Sequence, residues 1–159
     1  MTKINLSQKE TMLLEDQKKH EEMCIQKYSN YANQAQDQEL KQLFDTYAKE
    51  EQQHLNTINQ ILSGQVPNIQ QGHNNQQKQQ SNQNQQKTSQ GTMTNQSDAT
   101  LCADLLMTEK FVSGAYNTAI FECVDTKVRD ALNHIQKEEQ KHGEGIFNYM
   151  NSHGMYNVK

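Results

Sequence analysis

Glu138-Glu139-Gln140-Lys141-His142 is the stretch on which the fold turns, and Glu50-Glu51-Gln52-Gln53-His54 is its counterpart. Each carries a Glu followed three residues later by a His, a spacing that puts both side chains on one face of a helix. That face is apolar. Leu132, Ile135, Glu139, His142, Ile146 and Tyr149 alternate by three and four, as do Phe44, Tyr47, Glu51, His54, Ile58 and Ile61. A carboxylate in a core costs several kcal/mol unless something compensates it. Two such intrusions at matching places call for compensation, and bound metal is the compensation expected.

Working outward, each stretch sits on the second arm of a helical hairpin. Ser7-Gln8-Lys9-Glu10 reads as a capping box, in which the hydroxyl takes one orphan amide and the Glu reaches back to another. The helix it opens carries Leu14, Gln17, Glu21, Ile25, Tyr28 and Ala32 on one face and runs to about Gln34. Asp37 is placed to cap a second helix from about Gln38 to Leu62, where Gly64 and Pro67 are stop signals. The short hinge makes the two helices antiparallel neighbours. Asp98 is expected to cap a third helix marked by Leu101, Leu105, Glu109, Val112, Tyr116, Ile120 and Cys123. Asp125 starts a fourth, ending near Gly154.

The halves repeat. Sliding the first by 88 positions (109 − 21 = 88) sets Glu21 on Glu109, Tyr28 on Tyr116, Asp37 on Asp125, Glu51 on Glu139 and His54 on His142, without a gap. The repeat adds Glu21 and Glu109, which also interrupt apolar stripes. One Glu from each of two helices plus Glu-x-x-His from each of the other two is the inventory of a dimetal-carboxylate site in a four-helix bundle. Four carboxylates and two neutral imidazoles balance two divalent cations. Oxygen-rich ligands without thiolate favour Fe or Mn. The metal-free alternative is a buried Glu–His hydrogen-bond network, which the duplicated symmetry disfavours. Tyr28 and Tyr116, two turns beyond Glu21 and Glu109, serve either as donors to ligating carboxylates or as core aromatics with a wet tip. Glu22, Glu50, Glu138 and His20 are read as solvated neighbours, and His134 as a surface residue.

The expected architecture is therefore all-α. A single domain over 1–159 comprises a hairpin at 7–62, a linker at 63–97 and a hairpin at 98–153. The linker is Gln/Asn-rich with little to bury, so disorder is expected there. A flexible chain of that length spans about 30 Å, close to the ~37 Å of a helix of about 25 residues. It can carry the chain from one end of a bundle to the other. Such tracts also self-associate.

Bulk properties narrow the function classes. Net charge is −4 with both signs interspersed, which disfavours nucleic acid. Mean hydropathy is −1.04, and no apolar run reaches membrane-spanning length. No apolar signal core opens the chain. Cys24, Cys102 and Cys123, scattered and without a C-x-x-C, read as reduced core thiols of an intracellular protein.

With these residues in view, both halves resemble the ferritin-like superfamily. Glu21…Tyr28…Glu51-x-x-His54 and its repeat are similar to the metal motifs of rubrerythrins, bacterioferritins and manganese catalases. The second half resembles the spore coat F family of endospore-forming bacteria. The shared features are Leu105-Leu106-Met107-Thr108-Glu109-Lys110, Tyr116-Asn117-Thr118-Ala119, the Glu-Glu-x-x-His helix and His153-Gly154-Met155-Tyr156. The resemblance implies a structural or accessory protein made in the mother-cell cytoplasm and deposited on the spore coat. Its partners would be other coat proteins and copies of itself. An oxidoreductase acting on O₂ or peroxide would keep the same six ligands and two Fe or Mn ions, and so is the alternative. Storage, which needs a closed shell, fits the linker poorly.

Overall fold

The computed structural model describes residues 3–68 and 94–159, with side chains outside 94–97. All regular structure among these residues is helical: α1 (Gln8–Gln34), α2 (Gln38–Leu62), α3 (Thr94–Glu122) and α4 (Thr126–Ser152). The capping box at Ser7 and Glu10 forms in full, and Asp37 and Asp125 cap α2 and α4. At the end of α2, Gly64 adopts φ +82°. Gly64 N–H bonds Ile61 O and Gln65 N–H bonds Gln60 O, closing the last turn. The Gly64 carbonyl then accepts from Ile4 N–H at 2.9 Å, tying the start of α1 to the end of α2. No described helix is long and apolar enough to cross a membrane.

α1 packs on α2 and α3, and α4 packs on α3 and α2. Adjacent helices run antiparallel. Lys9 at the start of α1 pairs with Glu122 at the end of α3, and Tyr149 near the end of α4 donates to Asp37 at the start of α2. The end of α2 and the start of α3 therefore lie at opposite ends of the bundle. Residues 69–93, most of the expected linker, lie outside the described residues.

Two expectations need correction. Residues 94–97, assigned to the linker, already form the first turn of α3. Asp98 is accordingly not a helix cap. Buried within α3, its carboxylate accepts from Gln36 N–H (2.9 Å) and Asp37 N–H (3.1 Å) at the α1–α2 hinge. Glu10 does the reciprocal task, accepting from Val124 N–H (2.8 Å) at the α3–α4 hinge. Each half thus supplies the acid that satisfies the turn amides of the other.

The core is the set of inward stripes. Leu14, Tyr28, Leu40, Phe44, Ile58 and Ile61 from the first half are fully buried, as are Leu105, Tyr116, Leu132, Ile135 and Ile146 from the second. Cys24 and Ala119 fill the stripe where Ile25 and Ile120 were expected, and those larger residues take the flanks. All three thiols are free and buried.

Candidate metal centre

Glu21 and Glu51 lie about equally far along the chain from the Asp37 hinge, as Glu109 and Glu139 do from Asp125. The rise of 1.5 Å per residue therefore brings all four to one level. The structure brings the six sequence-predicted residues together there, all buried. They form two overlapping clusters, Glu21–Glu51–His54–Glu139 and Glu51–Glu109–Glu139–His142, each with ligand atoms within 4.8 Å of one another. Glu51 and Glu139 belong to both.

Their oxygens are divided between the two imidazoles. His54 Nδ1 lies 3.2 Å from Glu51 Oε2 and 3.0 Å from Glu139 Oε1. His142 Nδ1 lies 2.9 Å from Glu51 Oε1 and 3.5 Å from Glu139 Oε2. Glu21 Oε2 is 3.8 Å from the first imidazole and Glu109 Oε1 is 3.4 Å from the second. Both Nδ1 atoms thus face the carboxylates.

The surrounding groups reach across between halves. Tyr28 Oη donates to Glu109 Oε1 at 2.5 Å, and Tyr116 Oη donates to Glu21 Oε1. Each tyrosine serves the leading Glu of the other half, not the one on its own helix. His142 Nε2 donates to Glu50 at 2.5 Å, and His54 Nε2 lies 3.6 Å from Glu138. This corrects the reading of Glu50 and Glu138 as solvated neighbours. Both rim carboxylates face the outer nitrogen of the imidazole contributed by the opposite half, an arrangement that fixes ring orientation at metal sites. His134, exposed as expected, pairs with Glu138 at 2.5 Å. Glu22 is exposed, and half-buried His20 stays outside the clusters, bonded to Gln17 and edge-on to Phe111. Tyr47 stacks on His142, with ring centroids 4.2 Å apart.

The electrostatics are those of a site short of positive charge. Burial, then a shared hydrogen bond with Glu51 and repulsion from the other carboxylates, pushes Glu21 well above the usual carboxylate range. Burial and a hydrogen bond with Glu139 push Glu109 up to about 8. Burial also works against charge on Glu51, but hydrogen bonds from Glu21, His142 and His54 outweigh it and hold Glu51 at about 2. Burial likewise disfavours charge on His54, and the nearby carboxylates of Glu138, Glu139 and Glu51 more than reverse it, raising its pKa well up. His142 is raised in the same way against burial by Glu109, Glu139, Glu50 and Glu51. Protons therefore hold the carboxylates together when no other cation does. Even so, Glu21 Oε2, Glu109 Oε2, Glu139 Oε2 and His54 Nε2 are buried without a hydrogen-bond partner among the described residues. Six hard or borderline donors with orphaned oxygens fit divalent Fe or Mn.

Two clefts approach the centre. One of about 610 Å³ opens between α3 and α4, with Leu106, Lys110, Gly143, Phe147 and Tyr156 leading to Glu109 and Glu139. The other, about 250 Å³, opens between α2 and α4 and reaches His54 and Glu138 past Gln53, Thr57, Asn68 and His134.

Residues 97–159 match the Coat F domain family. The matched segment covers nearly all of α3 and the whole of α4, and so contains Glu109, Glu139 and His142. Neither a curated protein nor a solved structure matches the chain.

Proposed function

We propose that this chain is a spore coat-associated structural or accessory protein whose ferritin-like bundle of two duplicated hairpins holds a dimetal-carboxylate centre of Fe or Mn. The coat assignment draws on the Coat F domain match. The metal assignment is carried by one observation: two four-residue clusters that share Glu51 and Glu139. In this reading Glu21, Glu51, His54 and Glu139 would hold one ion, and Glu51, Glu109, Glu139 and His142 would hold the other. Tyr28 and Tyr116 orient the terminal carboxylates, and Glu50 and Glu138 orient the imidazoles. Other coat proteins and further copies of this chain are the partners.

A bound pair of such ions supplies redox or Lewis-acid chemistry towards O₂ or peroxide. The α3–α4 cleft, which reaches two of the carboxylates, favours the second reading, a dimetal oxidoreductase. The chain's own part would be to admit a small molecule past Leu106 and Gly143 and to keep Glu109 hydrogen-bonded to Tyr28.

The test is metal analysis of protein produced with Fe and Mn supplied, alongside the localisation of a fluorescent fusion in sporulating cells. Two equivalents of metal and fluorescence on the spore coat are expected. Replacing Glu51 and Glu139 together by Ala abolishes binding of both ions, whereas Glu22→Ala leaves it intact. A double variant that still holds two equivalents defeats the dimetal reading in favour of a metal-free network. Consumption of peroxide or O₂ by the loaded protein would select the oxidoreductase.

A further inference from the structure

The two clefts differ in kind. The α3–α4 cleft is mainly apolar, and the outer charges on its wall, Lys110 and Glu144, offset one another, so it offers a divalent cation no series of donors between solvent and Glu109. The α2–α4 cleft is lined by amide and hydroxyl oxygens from Gln53, Asn68 and Thr57, the Glu138 carboxylate and two imidazoles, with no Lys or Arg among its lining residues. These are the donor types that take hard and borderline divalent ions.

Within it the donors are graded from solvent to core. The His134 side chain is 43% exposed, and its Nε2 lies 2.5 Å from Glu138 Oε1. The Glu138 side chain is 25% exposed, and the same oxygen is 3.6 Å from Nε2 of His54, itself only 3% exposed. That nitrogen is buried without a hydrogen-bond partner among the described residues and faces the cleft, while Nδ1 of the same ring faces Glu51 and Glu139. Across the bundle there is no equivalent among the described residues. The position 88 residues before His134 is Thr46, whose hydroxyl is engaged with the Gln42 carbonyl.

Resting on the dimetal reading, we infer that the α2–α4 cleft is the loading route of the centre. His134 and Glu138 form a transient site for a divalent cation, which passes by way of Glu138 to the cluster behind His54. The site is a kinetic device, so its loss slows filling without changing how much is held.

Cobalt(II) is the probe, its uptake followed by stopped-flow visible absorption in low salt and its final stoichiometry by metal analysis. His134→Ala removes the outermost ligand. Thr57→Lys sets an ammonium in the cleft, and Ser113→Lys sets one in the α3–α4 cleft as control. Wild type and all three variants are expected to reach two equivalents. Thr57→Lys should slow uptake by about tenfold or more, an effect that fades with added salt. His134→Ala should slow it several-fold, and Ser113→Lys should behave as wild type. Unchanged rates in His134→Ala and Thr57→Lys, or slowing by Ser113→Lys instead, overturn the route while the two-equivalent endpoint leaves the dimetal reading standing. A wild-type protein that takes up no cobalt(II) overturns both.

Discussion

Gly145 lies in the interior of α4, where replacing glycine by alanine ordinarily stabilises a protein by about 1 kcal/mol. Here the expected sign is opposite. A Cβ at position 145 would lie 1.8 Å from Tyr47 Oη and 3.1 Å from its Cζ, and the first distance is roughly half a normal contact. Tyr47 must therefore leave its place, giving up its stack on His142 at 4.2 Å and its edge contact with Tyr28 at 5.7 Å. Overpacking of this kind costs about 1–3 kcal/mol and the lost aromatic pairs about 0.5–1.5 kcal/mol more. Set against the helical gain, Gly145→Ala should destabilise the metal-free protein by about 1–3 kcal/mol in urea titrations. The double-mutant cycle with Tyr47→Phe isolates the cause. Without Oη the nearest contact is the 3.1 Å one, a small adjustment absorbs it, and Gly145→Ala should become neutral or stabilising. That amounts to a coupling of about 2–3 kcal/mol. A Gly145→Ala protein more stable than wild type, or a coupling near zero, would refute the reasoning.

Asp98→Ala removes an acceptor from two hinge amides. At about 1.5–3 kcal/mol for each charge-assisted bond, discounted for the exposed side of the hinge, a loss of about 2–4 kcal/mol is expected by urea denaturation. Glu10 offers a pH test. Burial raises its pKa, but bonds from Ser7 and Val124 more than offset this and hold it below the ordinary 4.5. The folded carboxyl is thus the stronger acid, so its stabilisation is whole above about pH 4.5 and is lost as pH falls through the folded value. The stability gap between wild type and Glu10→Gln should shrink over that window, and a gap independent of pH would contradict it. Metal removal should lower stability as well. On the proposed dimetal reading, free Mn or Fe at about a hundred times the dissociation constant adds about 2.7 kcal/mol for each site. Treatment with a chelator should therefore lower Tm by roughly 5–10 °C per ion in calorimetry.

Much of this was legible in the chain because a buried helix face writes itself in three-and-four spacing. Glu21, Glu51, His54, Glu109, Glu139 and His142 stand out as polar residues on apolar stripes, and they do converge. The cap residues Ser7, Asp37 and Asp125 were equally readable, since their chemistry is local. What escaped was contact between helices distant in sequence. Asp98 has the composition of a cap, and only the packing of α3 against the α1–α2 hinge reveals its partners. A signal was present, for Asp98 stands 88 residues after Glu10 (98 − 10 = 88), and the register that sets Glu21 on Glu109 and Glu51 on Glu139 aligns these two acids as well. Glu50 and Glu138 lie one residue, or 100° of helix, off the stripe. That angle reads as solvent until the antiparallel neighbour supplies an imidazole opposite. Tyr47 against Gly145 depends on the α2–α4 separation, which no single-helix pattern encodes.

The crossed acids Glu10 and Asp98 also determine what can fold. Their bonds close over sequence separations of 114 and 62 residues, so neither hinge is secured until both ends of the chain have arrived. Cut between the halves, each piece would be left with bare turn amides and one open side. Neither piece is expected to fold on its own, and the bundle should melt in a single cooperative transition. The segment matching Coat F is such a piece. Because Val124 stands to Gln36 as Asp98 stands to Glu10, two copies of that segment have the parts to close the same circuit on one another, each acid stapling the other's turn.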